Sequence, residues 1–145
     1  MFEDAMEDYF NYSKLTNTIM LEIKPTVSTP AITLNESEGL LEFKGRSSPD
    51  NSVEFYSKIL MALENYFKTT ESGLTTNFNL EYFNTSSLKC IFQIFEKIAE
   101  NVGDKNKEDV VVNWYYEEED FDMLETGEDI SSMIDFDFNF IKYSY

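Results

Sequence analysis

The sequence predicts an α/β fold, a single-domain sandwich in which a mixed β-sheet of about four to six strands is covered by two main helices. Short apolar segments recur with the two-residue period of strands. Two longer segments between them keep the 3.6-residue period of helices, and glycine, proline and asparagine punctuate the joins. The chain has 145 residues, enough for one domain with a core and short for two.

The elements follow in order. Residues 1–16 are acidic and lack sustained periodicity, so they read as a flexible extension ahead of a domain spanning 17–145. Met20 to Lys24 is strand-like. Pro25 and Pro30 interrupt the pattern, and Ala31 to Leu34 resumes it. A turn over Asn35 to Gly39 leads into Leu40 to Lys44, completing a hairpin. Gly45 to Asp50 then reads as a loop, with Ser48 as N-cap and Pro49 at the first helical position.

In the helix that follows, Val53, Tyr56, Leu60, Leu63 and Phe67 form one stripe. Phe55, Ile59, Ala62 and Tyr66 form the next. Thr75 to Phe83 alternates, with Phe78, Leu80 and Tyr82 on the inner side and Asn77, Asn79 and Glu81 on the outer. A second helix carries Leu88, Ile91, Phe92, Phe95, Ile98, Ala99 and Val102, and Gly103 stops it. Val110 to Tyr116 is a strand with Val110, Val112, Trp114 and Tyr116 on one face, ended by the acidic Glu117 to Asp120. Asp122 to Met133 reads as a short helix broken near Gly127. Phe136 to Tyr143 reads as the last strand, with Phe136, Phe138 and Phe140 on one side.

Composition narrows the function. Eleven basic residues against 28 acidic ones give a formal charge of −17, which repels nucleic acid and anionic lipid and favours basic protein surfaces. No stretch approaches the roughly 18 apolar residues of a membrane helix. The start, MFEDAMEDYF, is acidic where a secretory signal would be basic and then apolar, so a cytoplasmic location is expected. The single cysteine, Cys90, lies among apolar helix residues, and with no histidine in the chain it has no partner for a zinc site. The lack of histidine also excludes Ser/His/Asp and Cys/His nucleophile sites. No enzyme, cofactor or metal is expected. The run Glu117-Glu118-Glu119-Asp120, with Asp122, Glu125, Glu128 and Asp129, lacks the glycine and alternating oxygens of a calcium loop and reads as a solvated face.

The most informative feature is the segment Tyr82-Phe83-Asn84-Thr85-Ser86-Ser87-Leu88-Lys89, where three hydroxyls and an amide crowd the passage from a buried strand into a helix. Any of Asn84, Thr85 or Ser86 can cap that helix, and one suffices. A phosphate on one of the others would face the free amides and the positive end of the helix dipole. Arg46 is a fixed cation able to meet such a phosphate if the hairpin end lies beside this helix start; otherwise it sits in a surface ion pair. Two other readings compete. One is an acid/base or magnesium enzyme using Glu81 and the Glu117 to Asp122 carboxylates. The other is a constitutive scaffold in which Thr85 only caps a helix.

The blocks LEIKPTVSTPAI, LEFKGRSSPDNSVEFY, FNLEYFNTSSLKC and VNWYYEEEDFDMLETGEDIS, in this order over about Met20 to Phe140, closely resemble the SiaC family of bacterial regulatory phosphoproteins. The resemblance implies a fold similar to the STAS-like anti-sigma-factor antagonists and a phosphorylated threonine in the FNTSS motif, here Thr85. It implies a protein kinase and a PP2C-type phosphatase acting on Thr85. The unphosphorylated form would bind and activate a diguanylate cyclase, raising cyclic di-GMP and promoting biofilm or aggregation. Tyr82, Phe83, Asn84, Ser86, Ser87, Lys89 and Arg46 surround Thr85 in sequence or in the expected fold, and are the expected partner contacts.

Overall fold

The computed structural model describes residues 19–102 and 109–145. The expected extension and the stop at Gly103 lie outside these residues. The described elements run β1 (Ile19–Ile23), β2 (Ala31–Asn35), β3 (Leu40–Ser47), α1 (Ser52–Thr69), β4 (Leu74–Phe83), α2 (Thr85–Val102), β5 (Val110–Glu117), α3 (Phe121–Met133) and β6 (Asn139–Tyr143). They form a mixed six-stranded sheet in sequential order, with β1, β2 and β3 antiparallel and β3 to β6 parallel.

Right-handed crossovers that always step in one direction place α1, α2 and α3 on the same face of the sheet. The burial pattern agrees. Leu41 and Phe43 of β3, Phe78 and Leu80 of β4, and Val112 and Trp114 of β5 are buried, while their alternates are not. Ile59, Leu63 and Tyr66 of α1 and Ile91, Ile94, Phe95 and Ile98 of α2 complete the core. On the opposite face Asn113 donates to Asn77 at 2.8 Å and accepts from Asn139 at 3.2 Å, a ladder of amides across three parallel strands.

Several expectations change. The strand after the hairpin extends to Ser47, so Gly45 to Ser47 are strand and not loop. The cap of α1 is Asn51, whose side chain accepts from the Glu54 N–H, and not Ser48; Pro49 consequently lies before the helix. Val53 is exposed on α1 despite its place in the apolar stripe. Gly127 does not break α3: it is a buried position in a continuous helix, held against the ring of Trp114.

A bulge explains the remaining shift. Gly45 pairs with Leu80 but Arg46 pairs with Tyr82, leaving Glu81 as an extra residue on β4. Gly45 has φ of +122°, a backbone conformation that L side chains rarely adopt. The extra residue flips the phase of alternation. Tyr82, expected inside, is 44% exposed, and Phe83 instead turns inward against Phe78 and Trp114. The last strand is also shorter than expected, since Phe138 is buried ahead of it and its N–H is held by the Ser131 hydroxyl.

Candidate functional site

The bulge delivers the chain into α2 with Phe83 anchored in the core and Asn84 at the corner. The Asn84 N–H donates to the Ser47 carbonyl at 3.0 Å, its side chain accepts from the Ser87 N–H at 2.9 Å, and its carbonyl accepts from Leu88. Asn84 is therefore the N-cap of α2. Thr85 is the first helical residue, and its side chain is exposed and is not the cap.

The two serines after Thr85 are already engaged. Ser86 Oγ lies 2.7 Å from Ser52 Oγ and donates to the Asn84 side chain at 3.2 Å. Ser87 is fully buried, and its Oγ sits 2.9 Å from Ser47 Oγ, which in turn lies 2.6 Å from the Tyr56 hydroxyl. This chain of hydroxyls ties the end of β3 to the starts of α1 and α2. Among the described residues Thr85 Oγ1 has no hydrogen-bond partner, so of the three hydroxyls it alone is exposed and uncommitted. Ser87, expected to touch a partner, serves the interior instead because no part of it reaches the surface.

The electrostatics favour an anion here. The first residues of α1 and α2 meet through Ser52 and Ser86, so two helix N-termini stand side by side, that of α1 offset by Glu54 in its first turn and that of α2 with no acidic residue. Lys89 follows Thr85 by one turn. Arg46 lies on the outward side of the bulge, over the ring of Tyr82 at 5.1 Å and 3.8 Å from Glu81. The hairpin end does lie beside this helix start, as Ser47 pairs with Phe83, but Arg46 is held in the surface ion pair.

Two measurable consequences arise from this geometry. Asn84→Ala removes the cap while leaving Thr85 unchanged, and is expected to cost about 1 kcal/mol in urea denaturation. Thr85→Ala should shift stability by no more than about 0.5 kcal/mol. The reverse ranking would make Thr85 the cap. Burial pushes the Tyr56 hydroxyl up to about 12, against a smaller opposing pull from the Ser47 hydrogen bond. The unfolded phenol ionises near 10, so this contribution is intact below that pH and is lost as pH rises towards the folded value. The loss reaches roughly 2–3 kcal/mol, at about 1.4 kcal/mol per unit. Unfolding curves of the wild type and Tyr56→Phe at alkaline pH test it: only the wild type should show this component.

The carboxylates of the competing enzyme reading have other work. Asp120 caps α3 by accepting from the Met123 N–H at 3.0 Å, and Glu81 pairs with Arg46. Both line a small hollow with Asp122, Tyr82 and Phe83. Among the described residues no group of three or more His, Cys, Asp or Glu side chains is placed to hold a metal ion. No described helix is long and apolar enough to cross a membrane. Cys90 is buried, and burial raises its thiol pKa, which disfavours a nucleophilic thiolate. Trp114 is fully buried and Tyr116 packs half-buried on the core, so neither forms an exposed platform.

Sequence reasoning missed Ser47, Ser52 and Tyr56, which complete the hydroxyl chain. Their partners lie 9 to 40 positions away, and no local pattern announces them.

The fold is a six-stranded mixed sheet backed by helices on one face, with an exposed threonine where two helix N-termini meet, and the comparisons place it among regulatory proteins. The chain belongs to the SiaC family of regulatory phosphoproteins, whose model matches residues 23–143. It is 29% identical over 118 residues to an uncharacterised protein of Pseudomonas aeruginosa (strain UCBPP-PA14), covering 81% of this chain and 92% of that one. It is also similar to SiaC of Pseudomonas aeruginosa in complex with the diguanylate cyclase SiaD, which SiaC activates: TM-score 0.79, 28% identity, 85% of this chain and 99% of that one. For apo-SiaC of the same organism the TM-score is 0.73 at 28% identity, covering 86% and 98%.

Proposed function

We propose that this protein is a threonine-phosphorylated regulator that binds and activates a diguanylate cyclase when Thr85 is unmodified and releases it when Thr85 carries a phosphate. The observation that carries the reading is the uncommitted Thr85 hydroxyl at the paired N-termini of α1 and α2, in a fold similar to a diguanylate cyclase activator. A phosphate brings roughly −1.5 to −2 charges to that corner. It gains the helix amides and Lys89 as neighbours, and obstructs a docked partner by its charge and its hydration.

In this reading a protein kinase and a PP2C-type phosphatase act on Thr85 in the cytoplasm, catalysis belongs to the partners, and cyclic di-GMP is the output. Tyr82, Ser86, Lys89 and Arg46 supply exposed partner contacts, Phe83 and Asn84 position them, and Ser87 acts only from within. The regulatory domain spans 17–145, and residues 1–16 are an accessory extension. The test is peptide mass spectrometry of the protein from its native host, together with pull-down by the unmodified form and by Thr85→Glu. Phosphate on Thr85 and a cyclase held only by the unmodified form are expected. No phosphate under any growth condition, with equal retention by both forms, would leave a constitutive scaffold.

A further inference from the structure

Thr85 and Ser86 are neighbours, both are exposed, and both carry a hydroxyl into the first turn of α2. Exposure alone does not separate them as phosphate acceptors. Their hydrogen bonds do. At about 100° per residue, the step from Thr85 to Ser86 turns the second side chain away from the direction of the first, and there it meets α1. Ser86 Oγ lies 2.7 Å from the hydroxyl of Ser52, itself only 5% exposed, and donates to the Asn84 side-chain oxygen at 3.2 Å. A serine hydroxyl has one proton to donate. Since that of Ser86 is directed at Asn84, Ser52 is the donor in the other pair, and its proton sits on a lone pair of Ser86 Oγ. Ser52 is the first residue of α1, fixed in place by the Asn51 cap.

We infer that Ser52 is a specificity-determining residue of the phosphoswitch: its hydroxyl masks Ser86 and so confines the phosphate to Thr85. The inference rests on the reading of Thr85 as the phosphorylated residue and adds how one of two adjacent hydroxyls is chosen. In the transfer, a lone pair of the acceptor oxygen forms a bond to the γ-phosphorus of a nucleoside triphosphate held by the kinase. The bond from that phosphorus to the bridging oxygen breaks, the nucleoside diphosphate leaves, and the hydroxyl proton passes to a base of the kinase. Ser86 must first release both of its partners, one on its lone pair and one on its proton. Ser52 would then be left buried, with Ser87 Oγ at 3.5 Å as its remaining neighbour. Thr85 releases nothing. A hydrogen bond that has to break beforehand lowers the reactive fraction by about tenfold.

The test is peptide mass spectrometry of full-length variants recovered from the native host, which supplies the kinase. The quantity read is the ratio of phosphate on Ser86 to phosphate on Thr85. Ser52→Ala removes the masking hydroxyl and is expected to raise the ratio at least tenfold. Ser52→Cys, close in size but a weak donor, should raise it in the same direction, and Ser52→Thr, which keeps the hydroxyl, should hold the wild-type value. In the Thr85→Ala chain Ser86 should stay unmodified, and adding Ser52→Ala should bring phosphate to it. Tyr56→Phe controls for general loosening of the corner: it removes the hydroxyl at the far end of the chain and leaves the Ser52 to Ser86 bond in place. Its ratio should match the wild type.

Phosphate on Thr85 in the wild type, with the same ratio in Ser52→Ala and Ser52→Cys, would overturn the masking role and leave the switch intact. A ratio raised as much by Tyr56→Phe as by Ser52→Ala would do the same, since the gain would then come from a loosened corner. A wild type that carries no phosphate under any growth condition removes the switch and the masking role together.

Discussion

Thr85→Glu is expected to weaken retention of the cyclase by at least tenfold, about 1.4 kcal/mol of binding free energy, while leaving the fold as stable as the wild type or slightly more so. The two signs together make the result diagnostic. A carboxylate in the first turn of a helix gains about 0.3–1 kcal/mol from the dipole, and the first turn of α2 has no acidic residue to compete with it. Thr85 Oγ1 takes no part in the hydroxyl chain that joins Ser52, Ser86, Ser87, Ser47 and Tyr56, so its replacement breaks none of those hydrogen bonds. A binding loss accompanied by unchanged or raised urea resistance therefore cannot come from misfolding. Thr85→Ala supplies the complement, with binding kept and phosphorylation abolished. Glutamate that binds as well as threonine would show that charge at this corner does not control the partner, and the switch would fall.

Much of this arrangement was legible in the sequence, and the parts that were not share a cause. Strands β3, β4 and β5 and helices α1 and α2 declare themselves because a one-sided sheet imposes strict alternation and its covering helices impose a wide apolar stripe. The alternation misleads only where a residue is inserted. One extra position at Glu81 reverses Tyr82 and Phe83, and the nearby glycine is the single sequence sign that a bulge was available. The cap was ambiguous because Asn84, Thr85 and Ser86 all offer an acceptor at the right distance. What decides it is Ser47, whose carbonyl holds the Asn84 N–H from a separate strand.

The largest expected loss of stability follows from the glycine that the sequence pattern treats as a helix break. A Cβ added at Gly127 would lie 2.6 Å from Cε2 and Nε1 of Trp114, well inside contact distance. The indole has little freedom to withdraw. It is fully buried, stacked on Phe78 at 4.5 Å with the planes 13° apart, flanked by Phe138, and pinned by its Nε1–H donating to the Met123 carbonyl at 3.0 Å.

Alanine is favoured over glycine in a helix by about 1 kcal/mol, yet overpacking a rigid core costs about 1–3 kcal/mol and sometimes more. With backbone and a pinned ring as the only elements able to yield, the clash prevails. Gly127→Ala is therefore expected to destabilise by about 1–3 kcal/mol in urea titration, and Trp114→Ala by about 3–5 kcal/mol. The two should not add. Removing the indole gives the new methyl somewhere to go, so the double variant should cost less than the sum of the single ones. Additive losses would mean that α3 and Trp114 are not in the contact described, and that the helix carrying Ile130 and Met133 is held in place by something else.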